Sequence, residues 1–325
     1  MDVTQDRRKS TLKLISGQSN PELAQEISSI LDVPLTPVIC KKFQNDNTFV
    51  KIMENVREKD VFIIQTSREP VNDYLMELLM LIDAAKYSSA QRVTAVIPYY
   101  PYVRSDKKDQ PRISITARLV ADLLQAAGAN RVLTMNLHSP QIQGFFRIPL
   151  DQLLAIPLMC SYFENSDMSN TTVVAPDAGS AKRAEMYAVK LRLPMAILDK
   201  RRIGNEDYAE VLNIIGEVKG KNAIIFDDEI STGGSLKETV LALKEHGAEK
   251  IRAAVVHPAF CGPAIDIING LPLTEVIVTN TIPLSENKKS SKVKVLSVAE
   301  LFANAIQRIH IGESVSSLFD IEKYA

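Results

Sequence analysis

Short apolar runs rich in β-branched residues alternate along this chain with longer segments of helical periodicity. Runs such as Val61–Gln65 and Ala223–Phe226 are almost entirely apolar, which is typical of strands buried on both sides of a parallel sheet. Segments such as Asn72–Ser88 and Leu236–His246 have the spacing of amphipathic helices. The alternation predicts an α/β fold, with mainly parallel sheets flanked by helices and joined by right-handed crossovers.

The length of the chain predicts two domains, because it has 325 residues and a domain usually contains ~100–200. Hydrophobic residues make up 46% of the sequence, which is enough for each half to enclose a core. We place the boundary at Pro149–Asp151. This gives an N-terminal α/β domain over residues 1–150 and a C-terminal α/β domain over residues 151–325.

Net charge and cysteine content limit the partners and the cellular compartment that we expect. The formal net charge is -1, so we expect neither a nucleic-acid nor a membrane partner, and any anion site must be a local basic cluster. Cys40, Cys160 and Cys261 are far apart and form no CxxC pair, which fits a reducing compartment. The first ten residues are polar and no apolar run reaches the ~20 residues of a membrane span, so a cytoplasmic location is expected.

The strongest motif is Ala223–Ser235, where a buried strand ends in two carboxylates and a Thr-Gly-Gly turn opens a helix. Backbone N–H groups and the dipole at a helix start favour an anion, and glycines let the backbone approach a phosphate. Paired carboxylates can accept hydrogen bonds from vicinal sugar hydroxyls. The alternative is an ordinary capped helix, but the whole pattern favours a sugar-phosphate loop formed by Asp227, Asp228, Ser231, Thr232, Gly233, Gly234 and Ser235.

One basic segment and one segment with an acidic residue follow other strands of the C-terminal half. In Leu198–Arg202, three consecutive cations leave a strand and enter a loop at Arg201–Asp207, where they could clamp a polyphosphate. A solvated basic loop is the alternative. In Val173–Arg183, Asp177 follows a strand and precedes a helix, so it suits either a magnesium-bound phosphate or a helix N-cap.

The N-terminal half offers weaker candidates. His138 follows the strand Val132–Met135, and a single histidine there is more often structural than a ligand. The segment Pro98–Asp109 combines aromatic residues, prolines and charges that could pack, face solvent or meet a nucleotide. The sequence has no GxxxxGK[ST] loop, so any ATP is not bound in the P-loop manner.

Taken together, these segments resemble the ribose-phosphate pyrophosphokinase family, also called the phosphoribosyl-pyrophosphate synthetases. The resemblance covers nearly the whole chain. Its characteristic phrases are Ser16–Asn20, Val93–Pro98, Gln141–Phe146, Pro176–Gly179, Thr279–Pro283 and Gly312–Ser316, in addition to the loop Asp227–Ser235. Phosphoribosyltransferases share that loop, but the long N-terminal half and the cluster Lys200–Arg202 favour the synthetase.

The resemblance implies two phosphoribosyltransferase-type domains, with the C-terminal tail returning to the first. It implies transfer of the diphosphoryl group of Mg-ATP to the 1-hydroxyl of ribose 5-phosphate, in a homo-oligomer based on dimers and commonly a hexamer. Carried over by position, the residues fall into four groups. They are Lys200 and Arg202 for catalysis, Asp227, Asp228 and Ser231–Ser235 for ribose 5-phosphate, Phe43, Asn45, Asn47, Arg104, Ser105 and Asp106 for ATP, and His138 and Asp177 for Mg²⁺.

The chain departs from the usual family pattern mainly on the nucleotide and metal side. Asn136 stands where an Asp is usual, and the other departures are Asn47, Ser105, Arg147 and Ser231. The leading hypothesis is an active diphosphokinase. The alternative that these substitutions favour is a weak or inactive synthetase-associated subunit that regulates an active relative.

Overall fold

The computed structural model of the protein describes residues 11–164, 166–202 and 209–318, without the side chains of residues 200–202, 209–212 and 317. The described residues fall into two compact units. The first extends to Leu154 and also includes Thr281–Pro283 and the residues from Ser297 onward, whereas the second comprises Ala155–Asn280 and Leu284–Leu296. In the described part of the chain, no helix combines the length and apolar character that crossing a membrane requires.

The first unit is built on a five-stranded parallel sheet with the strand order β1-β4-β5-β6-β7. A separate antiparallel hairpin, β2–β3, precedes β4. Helices α1, α2 and α3 follow β1, β4 and β5. The bounds are β1 Leu12–Ser16, α1 Pro21–Leu31, β2 Val38–Lys42, β3 Thr48–Ile52, β4 Asp60–Ile64, α2 Val71–Tyr87, β5 Arg92–Ile97, α3 Thr116–Ala126, β6 Arg131–Met135 and β7 Leu150–Leu153.

The second unit contains a seven-stranded sheet with the order β10-β9-β8-β11-β12-β13-β14, in which only β10 is antiparallel to its neighbour. The bounds are α4 Ile156–Phe163, β8 Thr171–Ala175, α5 Ala181–Leu191, β9 Met195–Arg202, β10 Ala209–Ile215, β11 Asn222–Ile230, α6 Gly234–Glu245, β12 Ile251–Pro258, α7 Ala264–Gly270, β13 Glu275–Thr279 and β14 Val293–Leu296. Helix α8, Ala299–Ile311, then returns to the first unit.

The strand order of the second sheet creates a switch point between β8 and β11. From β8 the chain adds β9 on one side, and it later adds β11 on the other side. In open α/β sheets, ligands bind at the carboxyl ends of strands where the order reverses in this way. Asp177 follows β8, and Asp227 and Asp228 lie in the last part of β11, so both predicted acidic segments lie at this point.

Buried strands and amphipathic helices produce the predicted layers. Strands β4 and β8 are buried along their whole length, as their apolar sequences predict. The predicted α/β fold class, with parallel sheets flanked by helices, is confirmed. The apolar pattern did not reveal the half-exposed strands β2, β3, β7 and β14, because strands with one open face carry polar residues.

Candidate functional site

The loop after β11 has the backbone shape that the sequence predicts for a phosphate cradle. Helix α6 begins at Gly234, and Gly233 adopts a left-handed conformation with φ of 84°. The first hydrogen bond of the helix runs from Lys237 N to Gly233 O, at 2.9 Å. The N–H groups of the first turn therefore point out of the helix start, where they and the dipole favour an anion.

Neighbouring backbone groups fix this loop. Phe260 N donates to Ile230 O and Cys261 N donates to Ser231 O, both at 2.9 Å. A Cβ added at Gly233 would be in ordinary van der Waals contact with Ile267 Cγ2 at 3.4 Å and Ala264 Cα at 3.5 Å, so the positive φ is what favours glycine here. Thr232 is exposed and Ser231 is half-buried.

The two carboxylates that were predicted to open the loop lie in the last part of β11, and they differ in environment. The Asp228 side chain is only 5% exposed, and its carboxylate oxygens lie 3.3 and 3.4 Å from the guanidinium of Arg183. The Asp227 side chain is 24% exposed and lies 3.9 Å from the same guanidinium, while its Oδ1 accepts a 2.9 Å hydrogen bond from Asp228 N. The more accessible acceptor for a sugar hydroxyl is therefore Asp227, and Asp228 faces inward.

Helix α5 determines where Arg183 lies. Tyr187, one turn later on the same face of the helix, stacks on Phe226 with ring centroids 3.9 Å apart. Phe226 and Asp228 share a face of β11, because side chains alternate along a strand. The aromatic stack thus places the guanidinium of Arg183 against the carboxylates. The contact of Arg183 with Asp228 is not apparent from the sequence, because 45 residues separate the two.

The adjacent carboxylates also influence each other's titration. Burial and the charge of Asp228 raise the pKa of Asp227 well above its ordinary value of 3.8, although the N–H of Asp228 and the charge of Arg183 act in the opposite direction. Protons therefore leave this pair in coupled steps, and the last proton is held more tightly than on an isolated aspartate.

Asp177 acts as a helix N-cap in this structure. Its Oδ1 accepts a 2.8 Å hydrogen bond from Ser180 N, and Asp177 N donates to Ser180 Oγ at 3.3 Å, which completes a capping box. The alternative prediction for Asp177, a helix N-cap, is thus observed. The carboxylate is nevertheless exposed at the carboxyl end of β8, next to β11, so capping and ligand binding are compatible.

The predicted strand Met195–Leu198 is longer than its apolar pattern indicated. Strand β9 continues to Arg202, and Lys200 and Arg202 pair with Val211 and Ala209 of β10. The prediction that the strand ends at Leu198 and that a loop begins at Arg201 is wrong, because antiparallel pairing with β10 extends the strand to Arg202. The rest of the predicted loop, residues 203–207, and the side chains of Lys200 and Arg202 lie outside the described residues.

The predicted nucleotide residues occupy two loops of the first unit. Phe43, Asn45 and Asn47 are exposed in the turn of the β2–β3 hairpin, which is closed by a 2.9 Å hydrogen bond from Phe43 N to Asn47 O. Arg104, Ser105 and Asp106 lie in the segment after β5, where Ser105 and Asp106 are half-buried and Arg104 is exposed.

Helix α2 contacts both of these loops. Asp73 in its first turn accepts a 2.7 Å hydrogen bond from Lys42 at the end of β2, and Asn72 accepts one from the hydroxyl of Tyr102. Lys42 also bonds Asp46 within the hairpin turn, at 2.8 Å. The structure thus connects the two predicted nucleotide segments through one helix start.

His138 lies after β6, at the same edge of the first sheet as the Arg104 segment, because β5 and β6 are parallel neighbours. The ring is half-buried. Asn136, two residues earlier, is 6% exposed and has a positive φ of 39°, which asparagine tolerates better than most residues. Arg147 is exposed on the connection to β7.

Comparison with known proteins identifies the family. Residues 12–128 match the model of the N-terminal domain of ribose phosphate pyrophosphokinase, and residues 206–320 match that of the phosphoribosyl synthetase-associated domain. The ribose-phosphate pyrophosphokinase of Caldanaerobacter subterraneus is 51% identical to this chain, over 96% of this chain and 99% of the relative. The chain belongs to the ribose-phosphate pyrophosphokinase family. The family predicted from the sequence is therefore confirmed.

Other members of the family agree with this result. The ribose-phosphate pyrophosphokinase of Deinococcus radiodurans is 52% identical, over 96% of this chain and 99% of the relative. The crystal structure of phosphoribosylpyrophosphate synthetase from Mycobacterium smegmatis superimposes with a TM-score of 0.88 and 40% identity, and covers 93% of this chain and 99% of that chain. The similarity to this synthetase extends over both units of the chain.

Proposed function

We propose that this chain is an active ribose-phosphate diphosphokinase. It transfers the diphosphoryl group of Mg-ATP to the 1-hydroxyl of ribose 5-phosphate, which yields 5-phosphoribosyl 1-diphosphate and AMP. The observation that carries the proposal is the loop Asp227–Ser235, which places an accessible carboxylate, hydroxyls and a helix start at the switch point of the second sheet. Family membership supplies the reaction type.

The loop binds the two ends of ribose 5-phosphate by different means. The 5-phosphate occupies the start of α6, where the N–H groups of the loop and the hydroxyls of Ser231, Thr232 and Ser235 donate hydrogen bonds. Asp227 accepts hydrogen bonds from the sugar hydroxyls. Asp228 remains buried against the guanidinium of Arg183 and stabilises the loop.

The transfer exchanges one phosphorus–oxygen bond for another. The 1-hydroxyl oxygen of the sugar attacks the β-phosphorus of ATP and loses its proton. The bond between the β-phosphorus and the oxygen bridging to the α-phosphorus breaks, so AMP leaves with that oxygen. Lys200 and Arg202 neutralise charge that develops on the transferred group, a contact that matters most in the transition state.

The nucleotide binds in the first unit. Phe43 offers an exposed ring, 49% accessible, against which an adenine can stack, and Asn45 and Asn47 offer amide groups to its edge. Arg104, with Ser105 and Asp106, faces the phosphates and ribose of ATP. At positions 47 and 105 the family usually has longer or charged residues, where this chain has Asn47 and Ser105. The affinity for the nucleotide is therefore the property in which this chain should differ from its relatives.

The residues that are predicted to contact Mg²⁺ fit an ion whose ligands come mainly from the substrates. Among residues 11–164, 166–202 and 209–318, no group of three or more His, Cys, Asp or Glu side chains could hold a metal. Mg²⁺ keeps several waters and takes ligands from substrate phosphates, so a single protein contact can suffice, and the exposed Asp177 of the second unit and the half-buried His138 of the first are each proposed as such a contact. When bound, the ion neutralises phosphate charge and makes the β-phosphorus more electrophilic.

A regulatory subunit without turnover is the second candidate, favoured by Asn136, Asn47 and Ser105. Two measurements on one sample separate the candidates: calorimetry with ribose 5-phosphate, and the initial rate of AMP formation from Mg-ATP. An active diphosphokinase shows both binding and sugar-dependent AMP. Binding without sugar-dependent AMP would reject the proposed activity and support the regulatory role.

We further propose that the chain is cytoplasmic and that it forms a homo-oligomer built from dimers, as large as a hexamer. Light scattering measures the molecular mass of the oligomer.

A further inference from the structure

The turn between β12 and α7, Ala259–Gly262, has a strained backbone. Phe260 has a positive φ of 41°, which is a marked departure for a bulky residue. Gly262, two residues later, also has a positive φ, of 53°. Strained residues persist only where the surrounding structure enforces their conformation, and they cluster at functional sites, so we examined what this turn contacts.

The sequence explains why the chain turns at this point. Pro258 is the last residue of β12 and has no N–H to donate, so the regular pairing with β11 stops at its partner Ile230. Ala259 N instead donates to His257 O at 3.1 Å, which bends the chain. The strand therefore gives way to a tight turn that begins next to β11.

The turn donates two hydrogen bonds to the residues where β11 ends and the sugar-phosphate loop begins. Phe260 N donates to Ile230 O and Cys261 N donates to Ser231 O, both at 2.9 Å. The paired carboxylates precede these two acceptors in the chain, and the Thr-Gly-Gly turn follows them. The two hydrogen bonds therefore hold the backbone between the sugar-hydroxyl acceptor and the phosphate cradle.

Two side chains hold the turn in its conformation. The ring of Phe260 is only 1% exposed, and it belongs to the core that also contains Leu236 of α6 and Ala264 of α7. The half-buried Lys288 donates from Nζ to Ala259 O at 3.3 Å. Apolar burial thus stabilises the strained residue, and the ammonium group fixes the carbonyl that precedes it.

We propose that the turn Ala259–Gly262 positions the sugar-phosphate loop, and that Phe260 and Lys288 are positioning residues for ribose 5-phosphate. They act through the two carbonyls at the end of β11. Ribose 5-phosphate is bound at both of its ends, so its affinity depends on how accurately the carboxylate of Asp227 and the start of α6 are held apart. The inference rests on the proposed binding of ribose 5-phosphate by this loop.

Lys288 allows a test with a closely matched control. Lys288→Met keeps the length of the side chain and removes the donor to Ala259 O. Lys288→Arg retains a cation that can donate to the same carbonyl. Lys292→Met is the control, because Lys292 Nζ also donates to backbone carbonyls, but to three at the C-terminal end of α7. The two Lys→Met variants change the net charge of the same segment equally.

The experiment measures the calorimetric Kd for ribose 5-phosphate of the full chain, together with KM for ribose 5-phosphate, KM for ATP and kcat. The hydrogen bond of Lys288 acts through the turn, so we expect Lys288→Met to raise Kd and KM for ribose 5-phosphate about fivefold and to leave KM for ATP unchanged. Lys288→Arg should restore most of the affinity. Lys292→Met should lower the free energy of unfolding but bind ribose 5-phosphate as wild type does.

Phe260 provides an independent variant. Phe260→Leu keeps an apolar side chain but fills less of the core around the turn, so the strained conformation is held less firmly and ribose 5-phosphate binding should weaken several-fold. Wild-type affinity for ribose 5-phosphate in Lys288→Met or in Phe260→Leu, or equal losses in Lys288→Met and Lys292→Met, would overturn the inference.

Gly233→Val separates this inference from the function on which it rests, because it distorts the loop itself. Normal ribose 5-phosphate binding in Gly233→Val would reject the loop as the sugar-phosphate site. Weakened binding in Gly233→Val with normal binding in Lys288→Met would reject the positioning role alone.

Discussion

At the scale of single residues, Gly233 is the position where the phosphate cradle depends most on the absence of a side chain. It has a positive φ of 84° and lies against Ala264 and Ile267. We expect Gly233→Val to weaken ribose 5-phosphate binding at least ~10-fold, because the strained loop moves its N–H groups away from the phosphate. Calorimetry measures the affinity. Gly220→Val is the matched control, since Gly220 also has a positive φ but lies before β11 in open space.

If Gly233→Val bound ribose 5-phosphate as tightly as Gly220→Val does, the loop assignment would be wrong.

Asp228 provides a test that depends on pH. Burial and the charge of Asp228 raise the pKa of Asp227, and the ionised form of Asp227 is the better acceptor for sugar hydroxyls. Affinity for ribose 5-phosphate should therefore be lost as the pH falls through this raised pKa. Asp228→Asn removes the like charge and frees Arg183 towards Asp227, so the loss should move to lower pH.

The measurement is the calorimetric Kd at a series of pH values, for wild type and Asp228→Asn. Protonation of the ligand's own phosphate is the same for both proteins and cancels in the comparison. The same midpoint in both proteins would mean that Asp227 does not bind the sugar in its ionised form.

Asn136 allows a test of the metal side. It is buried and follows β6, two residues before His138. A carboxylate there would add a negative charge close to a site for Mg²⁺, which prefers oxygen ligands. We expect Asn136→Asp to lower the free Mg²⁺ concentration that gives half-maximal rate at fixed Mg-ATP. An unchanged Mg²⁺ dependence would show that position 136 does not sense the ion.

At the scale of secondary-structure elements, helix α8 is held on the first unit by a buried ionic cluster. Asp60, at the start of β4, accepts hydrogen bonds from Arg92 and from His310 Nδ1, the latter at 2.7 Å. Arg92 also donates to Ile309 O at 3.0 Å. Burial alone would raise the pKa of Asp60, but the hydrogen bonds from His310 and Arg92 outweigh it and lower the pKa below 3.8.

We expect Asp60→Asn to lower the free energy of unfolding by about 2 kcal/mol at neutral pH, because it leaves the partly buried guanidinium of Arg92 without its anionic partner and weakens the contact with His310. A carboxyl with a lowered pKa stabilises the fold above its unfolded-state pKa, and this contribution is lost as pH falls through the folded-state value. The difference between wild type and variant should therefore shrink below about pH 4. Urea unfolding at neutral and acidic pH measures it, and a difference independent of pH would contradict the assignment.

At the scale of the whole molecule, the sequence revealed features that are local in the chain and missed those that depend on distant contacts. Asp227–Ser235 is contiguous, so its turn and helix start could be predicted, but β11 runs to Ile230, beyond the predicted strand end at Phe226. The position of Arg183 could not be predicted, because it depends on the packing of α5 on β11. Strand β9 was predicted too short because its last residues depend on pairing with β10.

The central claim, that the chain makes 5-phosphoribosyl 1-diphosphate, is tested most directly by phosphorus NMR of the full chain with ribose 5-phosphate, ATP and Mg²⁺. We expect AMP and a new pair of coupled diphosphate resonances in equal amounts, and much slower turnover in Lys200→Ala, since losing a transition-state contact costs ~10²–10³-fold. Formation of ADP instead of AMP, or no sugar-dependent change while ribose 5-phosphate still binds, would contradict the proposed activity.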